Sequence, residues 1–530
     1  MHAFQRPGRR EFLGAVSGAA LLGAVPTLAR AAFIPDLELE LRAAPDQVGI
    51  LRGPATQVWR YHARVLQGDA GAVSTLPGSY LGPIIRVRRG MRVRIHFINQ
   101  LPQPSVVHWH GMLVPEAMDG HPRFAVPPGG QIVYEFEITN RAGTYWFHPH
   151  PHGLTGTQVY GGLAGLLIVS DEEDRALDLP GGEHDLALVI QDRSFGPDNQ
   201  LHYGSGGGMG GMMTRMAGFL GDHILVNGRP NAMLDVERRP YRVRLLNGSN
   251  SRIYKLAWND GTPMTVIGTD GGLLAEPVQR PYVTLAPAER VELWVDFSAR
   301  AAGDDLSLQS LAFAAQGGSM MGGMGGMGGM GGMGGMGGMG RMGGGAGALD
   351  QGASFSVLGL RMGSGAAVAG KVPARLAHIA PLQPEQAINL NNPRTFHVTA
   401  GGMAWGLNGR VFEMERVADD EVVRLGSTEV WQFVNEAGMG MMGGLPHPLH
   451  IHGVQFRVMD RRVHPQASSA WRSLSAGLVD EGWKDTVLLM PGERVRLLLR
   501  FADHPGLFLY HCHNLEHEDM GMMRNFLIRA

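Results

Sequence analysis

The sequence predicts an all-β protein built from three β-sandwich domains. Three observations lead there. The readable segments alternate apolar and polar residues with period two, no long amphipathic helical run interrupts them, and a two-motif unit near residue 108 returns near residue 450. Such alternation turns one face of a strand to a core and the other to water. Gly, Pro and Asn between the segments supply the turns.

Residues 1–31 stand apart. Arg9 and Arg10 precede the apolar run "FLGAVSGAALLGAVPTLA", and "ARA" at 29–31 has the small-x-small form of a cleavage site. The run is short and Gly-rich for a membrane span, and twin arginine followed by x-Phe-Leu resembles the bacterial export signal for folded proteins. The expectation is a signal peptide, a periplasmic mature protein and no stable membrane insertion.

The first domain is expected at 32–172. "IIRVRRGMRVRIHFIN" (84–99) alternates apolar and charged residues around a Gly, and "IVYEFEI" (132–138) does the same. The second, 173–362, follows the break "DEEDRALDLPGG" and contains "YRVRLLN" (241–247) and "VELWVDF" (291–297). Inside it lies a Gly/Met tract, 317–345, with Met at every third position from Met321 to Met342. That composition builds no core and reads as a mobile loop lengthening a hairpin. A Gly/Ala/Pro-rich linker, 363–386, leads to the third domain, 387–530, with "VVRLGSTEVWQFVN" (422–435) and "RVRLLLRF" (494–501).

Composition narrows the function. A chain of 530 residues exceeds one core. With 18% charged and 44% hydrophobic residues it is neither disordered nor membrane-embedded. A formal charge of −2 creates no field that gathers nucleic acid, so no nucleic-acid partner is expected. A single cysteine, Cys512, forms no internal disulfide.

The repeat carries the chemistry. "HWHG" (108–111) returns as "HIHG" (450–453), and "GTYWFHPH" (143–150) as "GLFLYHCH" (506–513). In a strand, residues i and i+2 share a face. Four pairs therefore offer two imidazoles each: His108/His110, His148/His150, His450/His452 and His511/His513. One metal takes about four to six ligands. Eight imidazoles call for a multinuclear site, and their origin places it between the first and last domains. Cys512 faces the opposite way from its neighbours. A second site there would use Cys512, His517, Met522 and one more histidine, for which His447 is the natural candidate. Two His, one Cys and a weak axial Met make an electron-transfer copper site, one peptide link from two ligands of the multinuclear site. His152 competes in register with His148, but the repeat selects His148/His150. His121, His464 and His504 read as ordinary surface or turn histidines.

"HWHG", "HPH", "HPLHIHG" and "HCHNLEHEDMGMM" resemble, in order and spacing, the four copper signatures of the multicopper oxidases. "VNGRPNAMLDV", "RLLNGSNSR", "TDGGLLAEPV" and "WKDTV" look like the bacterial cuprous-oxidase and laccase branch. The resemblance implies cupredoxin-like Greek-key domains and four copper ions. Type 1 would be held by His447, Cys512, His517 and axial Met522; type 2 by His108 and His450; the type 3 pair by His110, His148, His150, His452, His511 and His513. It implies catalytic, proton-handling carboxylates at Asp119 and Glu518. Four one-electron oxidations, of Cu(I) or phenols, would feed reduction of dioxygen to water in a monomer serving copper tolerance. Thioethers are soft ligands suited to Cu(I), which marks Met321, Met324, Met327, Met330, Met441 and Met442 as substrate-copper candidates.

The chain also departs from that branch. Its Met-rich insert lies inside the second domain and is too Gly-rich for a helix. "MMGGLPH" carries no acid ahead of His447, the nearest upstream being Glu436. The alternatives are a laccase whose main donors are phenols or other organics, and a copper-buffering protein without turnover.

Overall fold

The computed structural model describes residues 33–204, 209–315, 349–401, 404–436 and 444–530. The expected signal peptide, the Gly/Met tract, and Met321, Met324, Met327, Met330, Met441 and Met442 lie outside those residues. Within them the strands form six sheets, in three successive pairs along the chain.

The first pair joins a four-stranded sheet (Thr56–Gln67, Leu37–Val48, Arg92–Asn99, Gln131–Glu137) to a five-stranded one ending in Gly143–Pro149 and Val107–His110. Alternation does what the sequence requires. Val93, Ile95 and Phe97 point inward and share a core with Val107, Trp109, Phe147 and Leu167 of the facing sheet. Each such side chain contributes roughly 1.5–3 kcal/mol by leaving water. The second pair, seven and five strands, encloses a core around Leu245, Leu256, Val266 and Leu293. The third, two five-stranded sheets, encloses Trp431, Phe433, Leu497 and Phe526.

One pairing recurs in all three. Leu37–Val48 runs parallel to Arg92–Asn99, Asp185–Arg193 to Pro240–Asn247, and Arg394–Gly401 to Thr428–Asn435. The all-β, cupredoxin-like sandwich architecture is thus the observed one. Residues Pro35–Ala530 form one compact unit. Among the described residues no helix is long and apolar enough to cross a membrane.

The strands that matter next sit at matching places in the first and third pairs. Val107–His110 pairs antiparallel with Gly143–Pro149, setting His108 opposite His148. His447–Ile451 pairs antiparallel with Gly506–Cys512, setting His450 opposite His511. Directly opposed residues hold their Cβ atoms about 4.5–5.5 Å apart, so each strand pair delivers its imidazoles side by side.

Candidate metal centre

The eight paired histidines converge, and each is at most 1% exposed. His150, His452 and His513 lie just past their strands yet keep the ladder: their N–H groups donate to the Val106, Leu509 and Pro448 carbonyls. Their ring nitrogens meet in small groups. His108 Nε2 is 3.3 Å from His450 Nε2. His110 Nδ1 is 3.4 Å from His148 Nε2, beside the His513 ring. His511 Nε2 lies 3.4 Å from His150 Nε2 and 3.0 Å from His452 Nε2. Stacked pairs lock the rings: His108 on His452 at 3.8 Å, His110 on His450 at 3.7 Å, and Trp146 on His148 at 4.3 Å between centroids.

The outer nitrogens explain why the inner ones face each other. His148 and His511 donate Nδ1–H to the Pro149 and Cys512 carbonyls. His108 and His450 donate theirs to the Asp119 and Asp485 carbonyls, and His452 to the Asp119 carboxylate at 2.7 Å. Each bond fixes a tautomer and leaves an Nε2 lone pair pointing inward. His110 is reversed: its Nε2 lies 3.0 Å from Asp485 Oδ1, which leaves Nδ1 inward.

Burial pushes His108, His110, His450, His452 and His513 well below the usual imidazole range, His148 to about 4 and His150 to about 3. These rings are neutral at pH 7. Neutral rings whose lone pairs converge in a dry space, with both nitrogens of His513 unpartnered, are a donor set for metal cations.

The second group is a triangle. His447 Nδ1, Cys512 Sγ and His517 Nδ1 lie 3.5, 3.6 and 3.2 Å apart, all fully buried. Burial pushes the thiol up and holds His447 below its usual range, His517 at about 3. A thiol with no anion-stabilising cation beside it stays protonated; a bound cation reverses that. One thiolate and two imidazoles suit copper. Met522 is fully buried in the same apolar cluster as Cys512, and its carbonyl accepts the Cys512 N–H.

Both expected carboxylates are buried at the eight-histidine group. Asp119 touches His108 and His452, and burial raises it well above the usual carboxylate range. Glu518 lies 3.1 Å from His511 Nδ1 and 3.4 Å from His150 Nε2. His152 is exposed.

One expectation needs correction. Of the two readings given for His121, the turn holds and the surface does not: its Nδ1 caps the turn Pro122–Phe124, but it is fully buried, its Nε2 2.9 Å from Asn525 Oδ1 of the last strand. Among the described residues one Met-rich segment, Met209–Ala217, forms a helix. It packs beside Leu515–Asp519, where the Met216 carbonyl accepts from His517 Nε2 at 2.9 Å and Trp405 Nε1 at 3.0 Å. Tertiary contacts hold a helix that its glycines disfavour.

Sequence reasoning missed Asp485 as an element of the site, although it lies in "WKDTV", one of the segments that resemble the family. It also missed the buried pair Arg290–Asp485.

The chain is similar in sequence and fold to known proteins. The sequence profile of the multicopper oxidases matches residues 57–174 and again 387–530. A laccase of Bacillus stratosphericus is 31% identical over 520 residues, covering 89% of this chain and 90% of its own. The cell division protein FtsP of Xenorhabdus nematophila is 28% identical, covering 98% of each. A crystal structure of a McoA multicopper oxidase variant from Aquifex aeolicus superposes with a TM-score of 0.75 at 31% identity, covering 94% of this chain and 97% of that one.

Proposed function

The chain belongs to the multicopper oxidase family and is an oxidoreductase, and on that premise we propose that it is a periplasmic four-copper oxidase whose donors are Cu(I) and phenols and whose acceptor is dioxygen. The observation that carries this is the coexistence of the His447–Cys512–His517 triangle with the eight-histidine group, joined through His511–Cys512–His513. In this reading the triangle with Met522 takes type 1 copper, His108 and His450 take type 2, and the other six histidines take the type 3 pair. Bound copper would supply one-electron redox chemistry at the cysteine and four-electron reduction of dioxygen at the histidine group.

The chain's own residues do the rest. Backbone carbonyls and Asp119 orient the imidazoles; the sheet interiors exclude water. Asp119 and Glu518 stand where protons must arrive for water to form, which is general-acid work by positioned carboxyls. The donor preference rests on the Met209–Ala217 helix. Its Met216 carbonyl occupies the Nε2 edge of His517, the edge a bulky aromatic donor would need, and soft thioether ligands suit Cu(I). That favours Cu(I) and a role in copper tolerance. The similarity to laccases favours phenols as a second donor class.

Oxygen uptake by the copper-loaded chain, with Cu(I) or a simple phenol as sole donor, tests this. Faster uptake with Cu(I), falling when 319–345 is deleted, supports the cuprous reading. Uptake with phenol alone, unchanged by the deletion, replaces it with a laccase. No uptake with either rejects the oxidase.

A further inference from the structure

The middle pair of sheets supplies no imidazole to either group, yet one of its side chains reaches the eight-histidine site. Arg290 opens the strand Arg290–Asp296 and is fully buried. A guanidinium has five N–H donors in a fixed plane. All five are used here. Nε donates to the Thr144 carbonyl at 3.0 Å. One terminal nitrogen donates to Ala288 O at 3.0 Å and Asp485 Oδ1 at 2.8 Å. The other donates to Asp270 O at 2.9 Å and Asp485 Oδ2 at 2.5 Å. The group is tied at once to the strand that carries His148, to its own sheets, and to the segment that carries Asp485.

Asp485 passes this constraint inward along two routes. Its carboxylate accepts from His110 Nε2, with Thr486 Oγ1 3.2 Å from the same nitrogen. Its backbone carbonyl accepts from His450 Nδ1. One residue thus backs an imidazole from each of the two "HxHG" motifs, and those two rings are stacked on each other. Among the eight paired histidines whose outer hydrogen bonds are described above, His110 alone turns Nδ1 inward. Without Asp485 it would be free to present either nitrogen. The neighbouring Gly111 shows how tightly this corner is filled: a Cβ there would collide with Asp485 Oδ2 and stand 2.8 Å from an Arg290 terminal nitrogen.

We propose that Arg290 is a positioning residue for the eight-histidine site, clamping Asp485 against the back of His110 and thereby selecting the His110 nitrogen that meets copper. This rests on the copper reading above. It gives the ligand-free middle region a direct part in the site: it sets ligand geometry from behind, beyond joining the two regions that carry ligands. Lysine cannot replace it, because a point charge lacks the fork that holds both oxygens of Asp485 and three carbonyls together.

The test uses the full-length, copper-loaded chain. Arg290→Gln, Arg290→Lys and Asp485→Asn are compared with wild type and with Glu292→Gln. That last variant breaks the buried ion pairs of Glu292 with Arg242 and Arg244, two residues along the same strand, without touching a histidine. Copper retained per chain is titrated against a competing chelator. The thiolate-to-copper absorption of Cys512 and the paramagnetic resonance of the remaining copper are followed in parallel. The expected result is a loss of affinity at the histidine site of about ten- to a hundred-fold, the usual effect of removing the group that holds a ligand from behind. The resonance should be altered and the Cys512 band unchanged. Arg290→Lys should fail to rescue. If Arg290→Gln does not fold, Asp485→Asn, nearly isosteric, and Arg290→Lys decide. Retention and resonance equal to those of Glu292→Gln would overturn the proposal. A wild-type chain that took up copper at Cys512 alone would overturn the copper reading of the histidines, and this inference with it.

Discussion

Glu292 offers a quantitative test of how the sheet pairs are joined. It is fully buried and accepts from Arg242, from Arg244 and, across to the first pair of sheets, from the Thr144 hydroxyl at 2.6 Å. Burial alone would raise its pKa. The two guanidiniums outweigh burial and hold it at about 2, against an ordinary 4.5. A tenfold change in proton affinity is worth about 1.4 kcal/mol, so the ionised group stabilises the fold by roughly 3 kcal/mol. The sign follows from the depressed pKa: the contribution is complete above about 4.5 and is lost as pH falls through about 2. Glu292→Gln should therefore cost roughly 3 kcal/mol at pH 7. Unfolding entropy is about 2.1 cal/mol/K per residue, so for about 500 residues the shift in Tm is only about 3 °C. Scanning calorimetry of the metal-free protein, wild type against Glu292→Gln at several pH values between 3 and 7, measures it. The gap should be constant above pH 5 and narrow towards pH 3. A gap of equal size at pH 3 and pH 7, or none at all, would refute the electrostatic account.

Other outcomes follow from the same geometry. Cys512→Ser should abolish the thiolate-to-copper absorption and oxygen uptake with every donor, while copper stays on the eight histidines; metal analysis and absorption check this. Asp119→Asn should slow oxygen reduction by about 10²-fold or more, the usual worth of a positioned proton donor, while substrate still bleaches the Cys512 band anaerobically at the wild-type rate; stopped-flow absorption separates the two. Gly111→Ala, at φ +82° and with its new Cβ against Asp485 and Arg290, should cost about 1–3 kcal/mol from overpacking alone and loosen copper at the histidine site, read by calorimetry and chelator competition.

The parts legible in the sequence are those written in short-range pattern. His108/His110 and the other pairs announce themselves because a strand has period two, and the repeat removes the ambiguity at His152. Cys512 stands out by being alone between two histidines. Asp119 emerges from family spacing, and the structure shows why the position matters: its carbonyl and carboxylate serve two different histidines. What is illegible is long-range or held by packing. Arg290 and Asp485 are far apart in sequence from each other and from His110, and a buried ion pair leaves no periodic trace. His121 resembles any turn histidine until the last strand closes over it. The Met209–Ala217 helix contradicts its own glycines, because Trp405 and His517 bind its last turn.

The most direct measurement is the copper content of the full-length chain after loading, taken beside Cys512→Ser and with absorption recorded on both. Four coppers per chain with a strong thiolate-to-copper band are expected in the wild type, and three coppers with no band in the variant. A wild-type chain that holds one copper or none, or a variant that holds as many as the wild type, would contradict a four-copper oxidase.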